Sequence, residues 1–140
     1  MTETRSTEWA ATILRLSLGI LFATHAGLKL FVFTPAGTYA YFEKLGLPGI
    51  LGHATIAGEF AIAAALVLGI ATRWASLAGI PILLGAIVMV HGAKGFWADS
   101  GGWEFIGVWI VALVVQVLLG DGKLALGKRL SFTVRTPAHA

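Results

Sequence analysis

The chain has 140 residues, of which 57% are hydrophobic and 12% are charged. A soluble domain is typically about half apolar and about a quarter charged, so this composition excludes an ordinary soluble globular protein and favours helices that cross a lipid bilayer. The length fits a single domain. Cysteine is absent, which excludes disulfides, thiolate nucleophiles and cysteine-ligated metal centres within this chain.

Basic residues outnumber acidic ones and give the chain a formal net charge of +3 at pH 7. They are scattered along the sequence rather than gathered into a stripe beside a binding fold, which argues against a nucleic-acid partner. Basic residues at the ends of membrane segments are typical of contact with anionic lipid headgroups. We therefore expect membrane lipid, and no nucleic acid, as a partner.

Four apolar segments follow one another along the chain, over residues of about 9–33, 52–71, 74–91 and 103–120. Each is close to the roughly 17 to 25 residues with which a helix crosses a bilayer. Very few residues separate the second and third segments, so their helices must be antiparallel neighbours. The pattern predicts an all-α fold, an integral membrane four-helix up-down bundle, as one domain over residues 1–130 with a basic cytoplasmic tail at 131–140.

The distribution of Lys and Arg near the segment ends predicts the orientation. The face with both termini holds seven of these residues and the opposite face holds three. Because cytoplasmic loops are enriched in basic residues, we expect both termini in the cytoplasm and a multi-pass protein in the inner (cytoplasmic) membrane of the cell. A cleaved signal peptide is the alternative for the first segment, but its start is not strongly basic, since Glu3 and Glu8 offset the first arginines.

Turn-forming residues at 34–37 and 46–49 interrupt the chain after the first segment. Between these breaks, the residues from Tyr39 to Leu45 are typical of a short amphipathic helix that lies on a membrane surface. Such a helix would form a lid over the outer end of the bundle.

The first and third segments share a short pattern. His25 follows Gly19 by six residues, and His91 follows Gly85 by the same spacing. Each segment is followed by another that carries Glu-Phe near its beginning, at residues 59–60 and 104–105. The pattern fits two similar helical hairpins that enter the membrane from the same side, but short identities also arise by chance in apolar sequence, so both interpretations stay open.

An up-down topology gathers polar residues at one end of the bundle. His25, Lys29, Glu59 and His91 fall toward the outer half, with Lys94 and Glu104 near the interface. Glu59 is the strongest signal, because an ionised acid within a membrane helix needs a partner. It is either a proton acceptor or ligand anchor paired with His25, Lys29 or His91, or one half of a clasp that fixes helix packing.

The two histidines and one arginine allow several roles. His25 and His91 can titrate, bind a metal, or donate a hydrogen bond to a quinone or a sulfur oxyanion. The Glu-x-x-His motif of di-iron bundles is absent, so we expect no metal and no haem. Arg15 is too far along its helix to reach His25, and we expect its side chain to extend to the cytoplasmic headgroups or to the surroundings of Arg73.

Several short motifs along the chain occur together in one known family. They are Arg15, Gly19 and Phe22; His25, Gly27, Lys29, Leu30 and Phe31; Gly46-Leu47-Pro48; Glu59, Leu66, Leu68, Gly69 and Arg73; His91, Gly92, Gly95 and Phe96; Gly102 and Glu104; and Gly120-Asp121-Gly122. Through these motifs, residues from about 11 to 130 resemble the DoxX family of small four-helix bacterial and archaeal membrane proteins. The family ending often reads Gly-Pro-Gly, and Asp121 stands here in place of the proline.

The resemblance implies a four-helix membrane bundle more firmly than it implies a reaction. The family takes its name from a membrane subunit of an archaeal thiosulfate:quinone oxidoreductase, and other members are linked to membrane-associated redox and oxidative-stress assemblies. Many members have no established activity, and likeness of fold does not fix a function.

We therefore expect a DoxX-like membrane subunit of a redox assembly that binds a quinone or a similar lipophilic molecule near the outer ends of the helices. In this hypothesis Glu59 handles a proton, His25 or His91 donates a hydrogen bond to a carbonyl oxygen, and Lys29 stabilises developing negative charge. The aromatic residues expected to line a ring pocket are Phe22, Phe31, Phe60 and Phe96. Without cysteine, a flavin motif or a haem-attachment signature, the chain needs a protein partner that donates electrons.

Two other classes of function stay open. One is a non-enzymatic membrane anchor or assembly scaffold, in which the polar cluster locks the bundle. The other is a small proton-coupled transporter with Glu59 as its proton site. Small residues such as Gly79 and Gly85 can bring helices together in a homo-oligomer, but no motif sets the number of copies.

Overall fold

The computed structural model describes residues 2–128, so the predicted basic tail at 131–140 lies outside the described residues. Five α-helices follow one another: α1 (Glu3–Gly27), α2 (Pro35–Lys44), α3 (Ile50–Leu68), α4 (Thr72–Ala86) and α5 (Glu104–Leu119). Within residues 2–128 there is no strand. The predicted all-helical fold class is confirmed.

Both α1 and α4 change their winding at the same end of the molecule. The helix α1 continues into a π-helical turn over Leu28–Val32, and α4 continues into a second one over Ile87–His91. A π-helical turn is wider than an α-helical one, is rare, and often occurs at functional sites. These two turns contain Lys29 and His91, two of the predicted site residues.

Three helical stretches are long and apolar enough to cross a membrane, namely Glu3–Val32, Ile50–Leu68 and Thr72–Lys94. The helix α5 is equally apolar in character but has only 16 residues. The predicted bounds of the helices differ from the observed ones mainly at their ends, because apolar content does not determine the residue at which a helix begins or ends. The helix α1 begins at Glu3 rather than near residue 9, because an acidic first turn favours a helix N-terminus whatever its hydropathy.

The end of α3 is set by backbone conformation rather than by composition. Gly69 adopts a left-handed conformation with φ 69° and closes the helix after Leu68, whereas the apolar sequence predicted a span to residue 71. The short connection to α4 brings the two helices into contact as antiparallel neighbours, as the sequence predicted.

The four apolar helices α1, α3, α4 and α5 contact one another in a closed order. The helix α1 packs on α3 and α5, and α4 packs on the same two helices. Glycine permits the closest approach: a Cβ atom at Gly19 would lie 2.7 Å from Val67 Cγ2 and 3.2 Å from the carbonyl oxygen of Ala63. Helix contacts through small residues of this kind are typical of membrane proteins.

The core is small and apolar, and much of the outer surface is apolar as well. Phe22, Leu66 and Leu113 are fully buried between the helices. In contrast, Trp74 exposes 75% of its surface and Leu118 exposes 73%. Large exposed apolar side chains on the outside of the helices are what a lipid-facing surface requires.

The predicted short helix between the first two spans is present as α2, which begins four residues earlier than expected. Pro35 starts the helix, and the hydroxyl of Thr34 accepts a hydrogen bond from the amide of Gly37 at 3.2 Å. The helix packs on α3, and its own residue Thr38 is buried. The helix α2 therefore lies at the same end of the molecule as Lys29.

Candidate functional site

Lys29 and Glu59 form an ion pair between α1 and α3. The ammonium Nζ of Lys29 lies 3.0 Å from Oε1 and 2.9 Å from Oε2 of Glu59. The Glu59 side chain is 5% exposed and that of Lys29 is 22% exposed. Of the three partners that the sequence allowed for Glu59, the structure shows Lys29.

The backbone around Lys29 is held from two sides. Its π-helical turn follows directly on α1, and the hydroxyl of Thr38 in α2 donates a hydrogen bond to the Lys29 carbonyl oxygen at 3.2 Å. The ammonium also lies 3.5 Å from the carbonyl oxygen of His25. The helix α2 thus fixes the residue that carries the positive charge of the pair.

His25 lies one turn below Lys29 and faces the core. Its ring centroid is 4.9 Å from that of Trp109 in α5. No hydrogen bond of the His25 ring to another described residue is present in the structure. The ring nitrogens of His25 are therefore available to a bound molecule.

His91 is committed to the loop that precedes α5. Its Nδ1 lies 2.6 Å from the carbonyl oxygen of Gly101. A carbonyl oxygen only accepts hydrogen bonds, so Nδ1 is the donor in this contact. Between the two histidines, His25 is thus the better candidate for donating a hydrogen bond to a carbonyl ligand.

The four predicted pocket phenylalanines do not line one enclosed pocket. Phe22 is fully buried and packs on Trp109 with ring centroids 4.8 Å apart. The other three lie on the surface, where Phe31 is 78% exposed and Phe60 and Phe96 are about half as exposed. Phe96 makes edge contacts with Trp97 and Trp103, and Phe31 and Phe60 belong to the two helices that carry the ion pair.

Comparison with known proteins decides the family. A family model described as DoxX matches residues 10–92, more than half of the chain. The chain belongs to the DoxX family. No curated protein and no solved structure matches it. The matched stretch contains Lys29, Glu59 and His91, and together with the long apolar helices it indicates that this DoxX protein is an integral membrane protein.

In this DoxX protein, the Arg15 side chain does not extend to a headgroup region, the first of its two predicted locations. It reaches the α3–α4 turn that precedes Arg73, which agrees with the second. Arg15 is only 1% exposed, and its Nη1 donates hydrogen bonds to the carbonyl oxygens of Leu66 and Val67 at the end of α3. These carbonyls lie in the last turn of a helix, where the usual intrahelical partners are missing. The arginine therefore ties the end of α3 to the middle of α1.

Trp109 is a further residue of the candidate site, which the pattern of polar residues in the sequence did not indicate. It is 3% exposed, and its ring contacts those of Phe22, His25 and Phe105. Its indole Nε1 has no hydrogen-bond partner among the described residues. A lone Trp in an apolar helix gives no sequence signal of such a position, because helix rotation alone decides whether it faces lipid or core.

Lys94 and Glu104 lie apart from the ion pair, at the two ends of the loop before α5: Lys94 ends a short 3-10 turn, and Glu104 is the first residue of α5. The Glu104 carboxylate accepts a hydrogen bond from the amide of Ala98 at 3.0 Å, which supports the loop. Among residues 2–128, no group of three or more His, Asp or Glu side chains is placed to hold a metal ion. A shallow groove at the opposite end, lined in part by Glu3, Glu8 and Lys128, contains none of the predicted site residues.

Proposed function

We propose that this DoxX protein is the membrane subunit of a redox assembly and binds a quinone or a similar lipophilic molecule beside the Lys29–Glu59 pair. The ion pair carries the proposal. Charged side chains within apolar spanning helices are costly and mark functional sites by default, and here the pair lies at a π-helical turn with one side open, since Lys29 is 22% exposed.

The residues around the pair match the chemistry of quinone reduction. Reduction to the quinol takes two electrons and two protons. Glu59 relays the two protons one after the other, Lys29 stabilises negative charge on the reduced oxygen, and His25 donates a hydrogen bond to a carbonyl oxygen. The chain has no cysteine and supplies no electrons of its own. A bound protein partner therefore donates both electrons.

The membrane arrangement that suits this function is the four-helix up-down bundle. In it α5 crosses as a fourth span, both termini lie in the cytoplasm, and the protein is in the inner membrane. The contacts of α5 with α1 and α4 support a fourth span. Gly85 has open space around it and faces outward on α4, which suits close contact with a second copy in a homo-oligomer.

Mass spectrometry of small molecules extracted from the gently purified protein tests the proposal. We expect the parent and the Glu104→Gln variant to retain a quinone near one equivalent, and the folded Glu59→Gln variant to lose it. Glu104 is a matched control because its carboxylate supports a loop away from the pair. Bulk lipid alone in all three preparations would contradict quinone binding.

A scaffold function is the second candidate, and the closed geometry of the pair favours it. Both carboxylate oxygens of Glu59 are bonded to one ammonium group, which is what a clasp between α1 and α3 requires. If the pair is only a clasp, replacing it with Lys29→Met and Glu59→Gln together leaves assembly with the partner intact. Co-purification of the partner with this double variant, in the absence of any bound quinone, would support the scaffold.

A further inference from the structure

A second cluster of buried polar groups lies at the end of the molecule opposite the Lys29–Glu59 pair. Arg15, Thr72, Ser76 and Gln116 are each at most 1% exposed. Among the described residues no hydrogen-bond partner is present for Arg15 Nε, Thr72 Oγ1, Ser76 Oγ or Gln116 Oε1. A buried polar group without a partner destabilises the fold, so four of them at one end require an explanation.

The register of the helices brings these groups together. At one level of the core, a Cβ atom at Gly79 would lie 2.6 Å from Phe22 and 3.2 Å from Leu113. Seven residues, or two helical turns, separate this level from Arg15 on α1 and from Thr72 on α4. Ser76 and Gln116 lie one turn from the same level, on α4 and α5. All four therefore occupy adjacent turns of the interior, on the side of Phe22 away from Glu59.

The side chains are held in place by the bonds that they do make. Gln116 Nε2 donates to the carbonyl oxygen of Gly120 at 2.7 Å, and Arg15 Nη1 is engaged by the last turn of α3. Neither can turn its free atom away without losing a hydrogen bond. The unpaired atoms thus stay directed into the interior.

The hydroxyl of Ser76 behaves differently from other hydroxyls on these helices. Those of Ser17, Thr24 and Thr55 each donate to the carbonyl oxygen four residues earlier, at 2.8–2.9 Å. This local bond is the usual one for serine and threonine within a helix. Ser76, although buried in the same type of helix, does not make it.

The mixture of groups indicates what binds there. Arg15 Nε is a donor, Gln116 Oε1 is an acceptor, and the two hydroxyls are both. An anion would meet the amide oxygen and a cation would meet the guanidinium, whereas water satisfies donors and acceptors alike. We propose that Arg15, Thr72, Ser76 and Gln116 form a buried site that holds ordered water molecules and keeps the arginine hydrated inside the helices. Buried waters of this kind typically make two to four hydrogen bonds to groups that otherwise lack partners.

The Ser76→Ala variant of the full chain distinguishes a hydrated site from a dry one by the sign of its effect. A hydroxyl bonded to water stabilises the fold, so its removal lowers the unfolding midpoint in detergent. An unpaired hydroxyl in a dry core destabilises the fold, so its removal raises the midpoint. Ser17→Ala is the matched control for the change in helix propensity, because Ser17 is exposed and already paired. A Ser76→Ala midpoint equal to or above that of Ser17→Ala would overturn the proposal.

A crystal structure of the unaltered protein at about 2 Å resolution gives a second readout that does not depend on any variant. We expect at least one water molecule within hydrogen-bond distance of two or more of the four free atoms. Direct pairing of these atoms with one another, or a bound anion in place of water, would overturn the site. Neither result bears on quinone binding at the opposite end.

Discussion

Glu59 is a charged residue within an apolar helix, where burial of its charge is unfavourable unless a partner compensates it. Its carboxylate is almost fully buried and is bonded twice to the Lys29 ammonium. Removing one partner from such a pair leaves the other charge without compensation, which is more damaging than removing both. The pair therefore stabilises the fold less than each residue's individual loss suggests.

A double-mutant cycle of Glu59→Gln and Lys29→Met measures this difference. We expect each single variant to lose about 1 to 3 kcal/mol of unfolding free energy, below the range for a fully buried pair because Lys29 is partly exposed. The double variant should lose less than the sum of the two. Unfolding in detergent followed by circular dichroism provides the measurement, and strictly additive losses would show that the two charges are not coupled.

Arg15, at the middle of α1, has the same importance for stability. Arg15→Met keeps most of the aliphatic stem but removes the guanidinium donor from two carbonyl oxygens at the end of α3, of which that of Leu66 keeps only the bond from the Gly69 amide at 3.3 Å. We expect a loss of about 2 to 4 kcal/mol. Arg5→Met, which changes an exposed arginine near the N-terminus, should be nearly neutral in the same unfolding experiment. Similar midpoints for the two variants would contradict the role given to Arg15.

For individual residues, the sequence identified the charged members of the site but only part of their pairing. Glu59 stood out because an acid in a spanning helix needs a partner. The choice of Lys29 over His25 or His91 depends on helix rotation and rotamers, which composition does not contain. The burial of Arg15 depends on where α3 ends, and that is fixed by the left-handed conformation of Gly69.

Among the helix contacts, the close approach of α1 and α3 depends on the lack of a side chain at Gly19. An added methyl group at Gly19 would meet backbone atoms of Ala63 and Val67, which cannot move aside as a flexible side chain can. We expect Gly19→Ala to cost about 1 to 3 kcal/mol through overpacking. Gly58→Ala is the matched control, because a Cβ atom at this helical position would lie 3.7 Å from Ile82 Cδ1, an ordinary van der Waals distance, and the change gains helix propensity. The account of this helix contact fails if Gly19→Ala is as stable as Gly58→Ala.

The sequence predicted the number and type of the main helices, and the short α3–α4 connection fixed their antiparallel contact. The two π-helical turns could not be predicted, since a run of apolar residues has the same appearance in an α-helical and a π-helical turn. The sequence feature that coincides with the π-helical turns is the shared spacing of His25 and His91 after a glycine, because each histidine lies at or near such a turn.

For the molecule as a whole, the topology follows from how many helices cross. Because the chain has no cysteine, single cysteines at exposed positions report their side without background. With α5 as a fourth span, Ser100→Cys reacts with a membrane-impermeant maleimide added outside intact cells, whereas Leu126→Cys reacts only after the membrane is opened. Labelling of both variants from the same side would show that α5 does not cross.

Quinone binding beside the Lys29–Glu59 pair is the central claim, and tryptophan fluorescence tests it most directly. Trp109 is buried next to His25, so a quinone at the site quenches its emission. We expect titration of the protein in nanodiscs with a short-chain quinone to give saturable quenching that is lost in Glu59→Gln and in Trp109→Phe but kept in Glu104→Gln. Quenching that rises linearly with quinone and is the same in the parent and in Glu59→Gln would contradict the claim.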